Sequence, residues 1–159
     1  MVVNKPLADR LIDLSVRNAE QIAEQWHKAL INNPRTGSYK SIARETCLRH
    51  AVNIYKNLGQ MYFADNCYQV VAQNLDIAGF VEDHFARGIP LEEAIYALIL
   101  MRRQIWLYSE QQSLFNVPED MYELVQGINR VLLLFDYATY IVASKYRDLA
   151  GRTGKLYSK

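Results

Sequence analysis

Among the side chains able to do chemistry, His84 has the most suggestive neighbours. It stands in the phrase His84-Phe85-Ala86-Arg87-Gly88-Ile89-Pro90-Leu91-Glu92-Glu93. Gly88 suits the left-handed residue that closes a helix, and Pro90 blocks simple continuation. Glu92 and Glu93 suit the positive end of the helix that follows. One neutral imidazole a turn before such a corner, facing an apolar pocket, is enough to ligate haem iron from one side. Phe80, Leu98 and Phe135 are the expected pocket lining, and Tyr55, Tyr62 or His50 could supply an opposite polar group. The plainer expectation is a boundary histidine beside Glu82 and Asp83.

The other candidates are weaker. His27, His50 and His84 are too widely spaced to form a metal motif by sequence, so no metal site is expected. His50 lies on an apolar stripe and reads as a partly buried imidazole bonded to a carbonyl. The acid pairs Glu82–Asp83, Glu92–Glu93 and Glu119–Asp120 flank helix ends, where acids usually solubilise or match the dipole. Cys47 and Cys67 form no CxxC pair and read as buried, reduced thiols. The sequence contains no P-loop, GxGxxG, GxSxG or HExxH, so no enzymatic activity is expected. Eleven tyrosines suit packing, pockets and interfaces.

These residues need helices to place them. Leu7, Leu11, Leu14, Ile22, Trp26 and Leu30 recur at helical spacing, and similar stripes follow. The periodicity predicts five long helices over Pro6–Ile31, Ile42–Met61, Val70–Arg87, Leu91–Ser113 and Pro118–Leu149, with no sheet. Asn32 to Gly37 reads as a turn, and Gly79 as a bend or close contact within the third helix. The fourth helix is apolar nearly all round in its first half and is expected at the centre. The fifth has a second apolar edge, from Leu133, Leu134, Tyr137, Tyr140, Ile141 and Tyr146. That predicts burial on two sides and a symmetric homodimer through this C-terminal helix. Residues 1–150 read as one domain, and 151–159 as a flexible tail or linker start.

The totals narrow the partners. With 18 basic and 17 acidic residues the net charge is +1, which gives no electrostatic case for nucleic acid or an anionic membrane. The longest apolar run, Ala94 to Met101, is far short of the ~20 residues of a membrane span. The N-terminus lacks an apolar signal region, so a cytoplasmic protein is expected.

Trp26 in a long first helix, the phrase Arg87-Gly88-Ile89-Pro90-Leu91-Glu92-Glu93, the following Leu100-Met101-Arg102-Arg103 and a long last helix ending near Tyr146 have a familiar combination. Together they resemble the N-terminal domain family of RsbT co-antagonist proteins, the RsbR-type sensor modules of bacterial stress signalling. The resemblance covers roughly Leu7 to Leu149 and is strongest over Arg87 to Arg103. It implies a globin-like helical bundle that generally binds no haem, and a downstream signalling partner. Members usually carry an output domain after this module, often of the STAS type, whereas this sequence stops at Lys159. The His84-x-x-x-Gly88-Ile89 spacing also looks like the proximal-histidine turn of haem-containing globin-coupled sensors. In the RsbR-type family that position is often a basic residue. The two readings divide at His84: a haem ligand would face inward, while a plain signalling module would turn it toward Glu82–Asp83 or solvent and fill the interior with side chains.

Overall fold

In the computed structural model, residues 5–112, 114 and 121–153 are described. Among them the fold is all-α: eight α-helices and one 3-10 segment, without strands. The helices are α1 Leu7–Arg17, α2 Ala19–Ile31, α3 Arg44–Lys56, α4 Leu58–Tyr62, α5 Cys67–Ala78, α6 Phe80–Ala86, α7 Leu91–Gln111 and α8 Met121–Thr153. The 3-10 segment is Pro34–Ser41, between α2 and α3.

The expected count of five long helices is therefore corrected, because three of them are broken. The first breaks at Asn18, whose side-chain amide donates to the Leu14 carbonyl at 2.9 Å. The second breaks at Asn57, which makes the same bond to the Asn53 carbonyl at 2.7 Å. Such a bond offers the backbone an alternative to the regular ladder. The apolar stripe continues across both kinks, so the periodicity does not reveal them. The third breaks at Gly79, which adopts φ +64°, a left-handed conformation that glycine reaches without a Cβ clash. The expected turn at Asn32–Gly37 is in part helical: the Asn33 side chain accepts from the Arg35 N–H at 2.9 Å and starts the 3-10 segment. The last helix runs on through Thr153, past the expected domain end. Ser113, residues 118–120 and the rest of the expected tail lie outside the described residues.

Together with α8, which packs against α1, α4, α5, α6 and α7, helix α7 lies at the centre of the fold. It packs against α1, α2, α8 and the 3-10 segment and buries Ala94, Ala97, Leu98, Leu100, Met101 and Ile105. Two buried side chains hang on its carbonyls. The Trp26 indole N–H donates to Ala97 at 3.0 Å, and the Tyr55 hydroxyl donates to Met101 at 2.9 Å. A helix carbonyl keeps a second lone pair, so these bonds satisfy two aromatic donors without breaking the α7 ladder. They fix α2 and α3 against α7 in angle and register. No described helix is long and apolar enough to cross a membrane.

Candidate functional site

The corner after α6 is built from its capping chemistry. Gly88 sits at φ +74°. Its N–H reaches the Phe85 carbonyl at 3.0 Å, and the Ile89 N–H reaches the His84 carbonyl at 3.1 Å. This pair of bonds is a Schellman cap, and it sets His84 one turn before the stop. Pro90 then stands just before α7. On the far side of Ile89, the Tyr146 hydroxyl of α8 donates to the Ile89 carbonyl at 3.0 Å. Glu93 is more than a dipole match: its carboxylate accepts from the Ser38 N–H at 2.9 Å and from the Ser38 hydroxyl. The corner is thus tied both to α8 and to the 3-10 segment.

His84 turns inward and is only 4% exposed, which corrects the expected boundary position facing Glu82–Asp83 or solvent that the plain signalling module implied. Its Nδ1 stands 2.7 Å from the Phe80 carbonyl. A carbonyl can only accept, so Nδ1 carries the proton and Nε2 keeps a lone pair. The ring leans on Phe80, with centroids 4.0 Å apart, and lies within 5.5 Å of both Tyr39 and His50. Burial lowers its pKa to about 4, so the imidazole is neutral near pH 7.

His50 comes from α3 to meet this cluster. It is buried, and its Nε2 donates to a carboxylate, Asp83 Oδ2, at 3.0 Å, rather than to the expected carbonyl. Arg87 Nε contacts both Asp83 oxygens at 3.0 Å. Burial alone would raise the Asp83 carboxyl pKa, but the hydrogen bonds from Arg87 and His50 outweigh it and hold it below its usual value. Burial pushes His50 down despite its acid partner. Cys47 and Tyr39 line the same small cavity, of about 10 Å³. Burial raises the Cys47 thiol to about 11 and carries the Tyr39 hydroxyl higher still. The Tyr39 hydroxyl is buried and has no hydrogen-bond partner among the described residues.

The residues expected to line one pocket fall in two places. Phe80 is beside His84. Leu98 and Phe135 instead line a separate apolar cavity of about 10 Å³ with Ile54, Leu58, Val71 and Leu134. Tyr55, considered as a distal group, is committed to α7. A wide surface groove of about 630 Å³ runs between the 3-10 segment and the start of α7, past Arg35, Ser38, Glu92 and Tyr96, and does not include His84. Organic ligand pockets usually enclose about 300–1,000 Å³. The space at His84 does not fit a haem, although its Nε2 has the right chemistry for iron.

Tyr39 is the site residue that sequence reasoning missed, and Asp83, read there only as a helix-end acid beside His84, is the hydrogen-bond partner of His50. Asp83 and Arg87 carry a signal, an acid–base pair four residues apart on one helix face. Tyr39 carries none. Over its described residues the molecule is thus an all-α protein in which two buried histidines meet a half-buried aspartate behind a capped corner. Comparison with protein-family models, curated proteins and solved structures finds no match for the chain.

Proposed function

We propose that the chain is a non-enzymatic, globin-like signalling module of the RsbR N-terminal type. It pairs with a second copy through α8 and passes on a change in helix packing to a downstream partner. The observation that carries this reading is the outward edge of α8, which keeps Leu133 and Tyr140 of the expected second edge, while Leu134, Ile141 and Tyr146 are buried in the chain's own core. Tyr122, Val125, Leu133 and Tyr140 are exposed at 71%, 49%, 37% and 64%. Their spacing places them along one face, since each helical residue advances about 100°. At 1.5 Å per residue that line runs about 27 Å. Tyr68 of α5 extends it, with its ring 5.3 Å from Tyr137 and 6.4 Å from Tyr140. A line of this kind on a single helix suits an isologous contact, in which the same strip meets itself across a two-fold axis.

A packing signal needs a ligand or partner that favours one arrangement over another. The breaks at Asn18, Asn57 and Gly79 are the joints in the first three predicted helices at which such a change would be taken up. Light scattering at tens of micromolar tests the pairing. The wild type is expected to be dimeric, and Val125→Glu with Tyr140→Glu to be monomeric with the same helical content. A monomeric wild type would remove the basis of the reading.

A further inference from the structure

The buried cluster has a chemistry that pairing through α8 does not use. One donor atom from each of His50, Asp83 and His84 lies within 4.8 Å of the others. His50 and His84 are each 4% exposed and Asp83 is half-buried, so the set lies at the edge of the interior, with its carboxylate toward water. We propose that His50, Asp83 and His84 form a binding site for a divalent transition-metal ion of the zinc class, with water as a fourth ligand.

Three features support this set. The first is the donor chemistry: two neutral imidazoles and one carboxylate are the ligands that zinc and its neighbours take. The second is the orientation of His84. A metal-bound imidazole generally donates its other N–H to a carbonyl or carboxylate, which fixes the tautomer and ring. His84 Nδ1 already does this at the Phe80 carbonyl, so Nε2 is the prepared donor. The third is the space. The shared cavity, of about 10 Å³, is close to the smallest that holds one water. Tyr39 lines it, and its buried hydroxyl lacks a partner among the described residues. A metal-bound water gives that hydroxyl a neighbour with which to bond.

The geometry needs little adjustment. Ligands about 2.0–2.1 Å from a tetrahedral zinc stand roughly 3.3 Å apart. His50 Nε2 and Asp83 Oδ2, at 3.0 Å, are near that spacing. Bringing in the third donor takes side-chain movement on the order of 1–1.5 Å, given the same ligand spacing. In the ion-free protein His50 Nε2 donates to Asp83, so on binding through Nε2 its proton moves to the other ring nitrogen. The ion then replaces that proton between ring and carboxylate. Arg87 balances the Asp83 charge without the ion and is 39% exposed, so it can withdraw toward water when a cation arrives. The ion would join α3 to α6, across the Gly79 break and beside the Schellman corner.

The test uses the full chain, stripped with a chelator, and titrated with Zn²⁺ by calorimetry and with Co²⁺ by visible absorption. One equivalent of Zn²⁺ is expected to bind. Co²⁺ should give the intense d–d bands of a four-coordinate nitrogen and oxygen site. His50→Gln, Asp83→Asn and His84→Gln should each weaken Zn²⁺ binding by at least about tenfold. His27→Gln, at a histidine outside the cluster, should leave it unchanged, and Arg87→Gln should bind Zn²⁺ at least as tightly. Circular dichroism of each variant checks its fold. If a cluster variant fails to fold, the wild-type Co²⁺ spectrum decides alone. Absence of one-to-one binding, a six-coordinate Co²⁺ spectrum, or equal affinity in folded cluster variants would overturn the assignment.

Discussion

Gly127 of α8 meets Ala8 of α1 so closely that a Cβ at position 127 would lie 2.2 Å from the Ala8 Cβ. The Ala8 methyl is fixed to the α1 backbone and cannot rotate away. The contact therefore sets the approach of α1 to α8.

Gly127→Ala tests that contact. Alanine is the better helix former, by about 1 kcal/mol. Overpacking a filled interface costs about 1–3 kcal/mol, and here the two helices must separate. Steric cost is expected to win, leaving the variant less stable by about 1–2 kcal/mol in urea unfolding. Ala8→Gly added to Gly127→Ala should recover part of the loss. A Gly127→Ala protein as stable as the wild type would show that α1 and α8 are less closely packed.

Tyr55→Phe tests one of the bonds that hang the fold on α7. The Tyr55 ring is fully buried, and its hydroxyl donates to the Met101 carbonyl. That carbonyl keeps its place in the α7 ladder when the hydroxyl goes, so no acceptor is orphaned. The expected loss is about 1 kcal/mol in unfolding free energy. A loss of several kcal/mol would mean that the hydroxyl does more than this bond.

The corner at Gly88 and Pro90 is readable from sequence because its chemistry is local. A left-handed glycine followed by a proline ends one helix and starts another whatever packs around it. The break at Gly79 is legible only in part. The glycine marks the place, but with no proline after it the sequence suggests a bend or close contact within one helix, and the structure ends the helix there. The kinks at Asn18 and Asn57 are not legible, since asparagine is common in unbroken helices and the apolar stripes run straight across. The His50–Asp83 bond is hidden for a different reason. It depends on how α3 lies against α6, and no local pattern carries that pairing. His84 was readable as a site candidate, but its inward turn is set by the Phe80 carbonyl and the rings of Tyr39 and His50.

Acid should weaken the folded state through the two cluster histidines. His84 has an ordinary pKa of 6.5 and is held at about 4 when folded. Below about pH 6.5 the unfolded chain takes up a proton at His84 that the folded chain refuses until about pH 4. Stability from this group is complete above pH 6.5 and falls as pH drops toward 4. The difference between those two values corresponds to up to about 3 kcal/mol. Burial of His50 acts in the same direction. The Asp83 carboxyl, held below its ordinary 3.8, adds a further loss only at lower pH. Urea midpoints measured between about pH 7 and pH 4.5 should fall in the wild type, because that interval spans the His84 difference. They should fall less steeply in His84→Gln. Equal slopes for the two proteins would remove His84 as the source.

Tyr39→Phe separates packing from polar roles in the cluster. The Tyr39 ring, on the 3-10 segment, is 1% exposed and packs toward Trp26 of α2 and His84, so phenylalanine keeps nearly all its contacts. The hydroxyl is buried without a partner among the described residues. Removing an unsatisfied buried hydroxyl relieves a desolvation cost of about 1–3 kcal/mol. In metal-free buffer the variant is therefore expected to be as stable as the wild type, or more so by about 1 kcal/mol. With Zn²⁺ present the order should shift toward the wild type, because only tyrosine can bond to a water on the ion. Thermal melts of both proteins, in chelator and in Zn²⁺, measure the two comparisons together. Marked destabilisation in chelator would show that the hydroxyl already has a partner in the ion-free protein. The same difference with and without Zn²⁺ would separate Tyr39 from the ion.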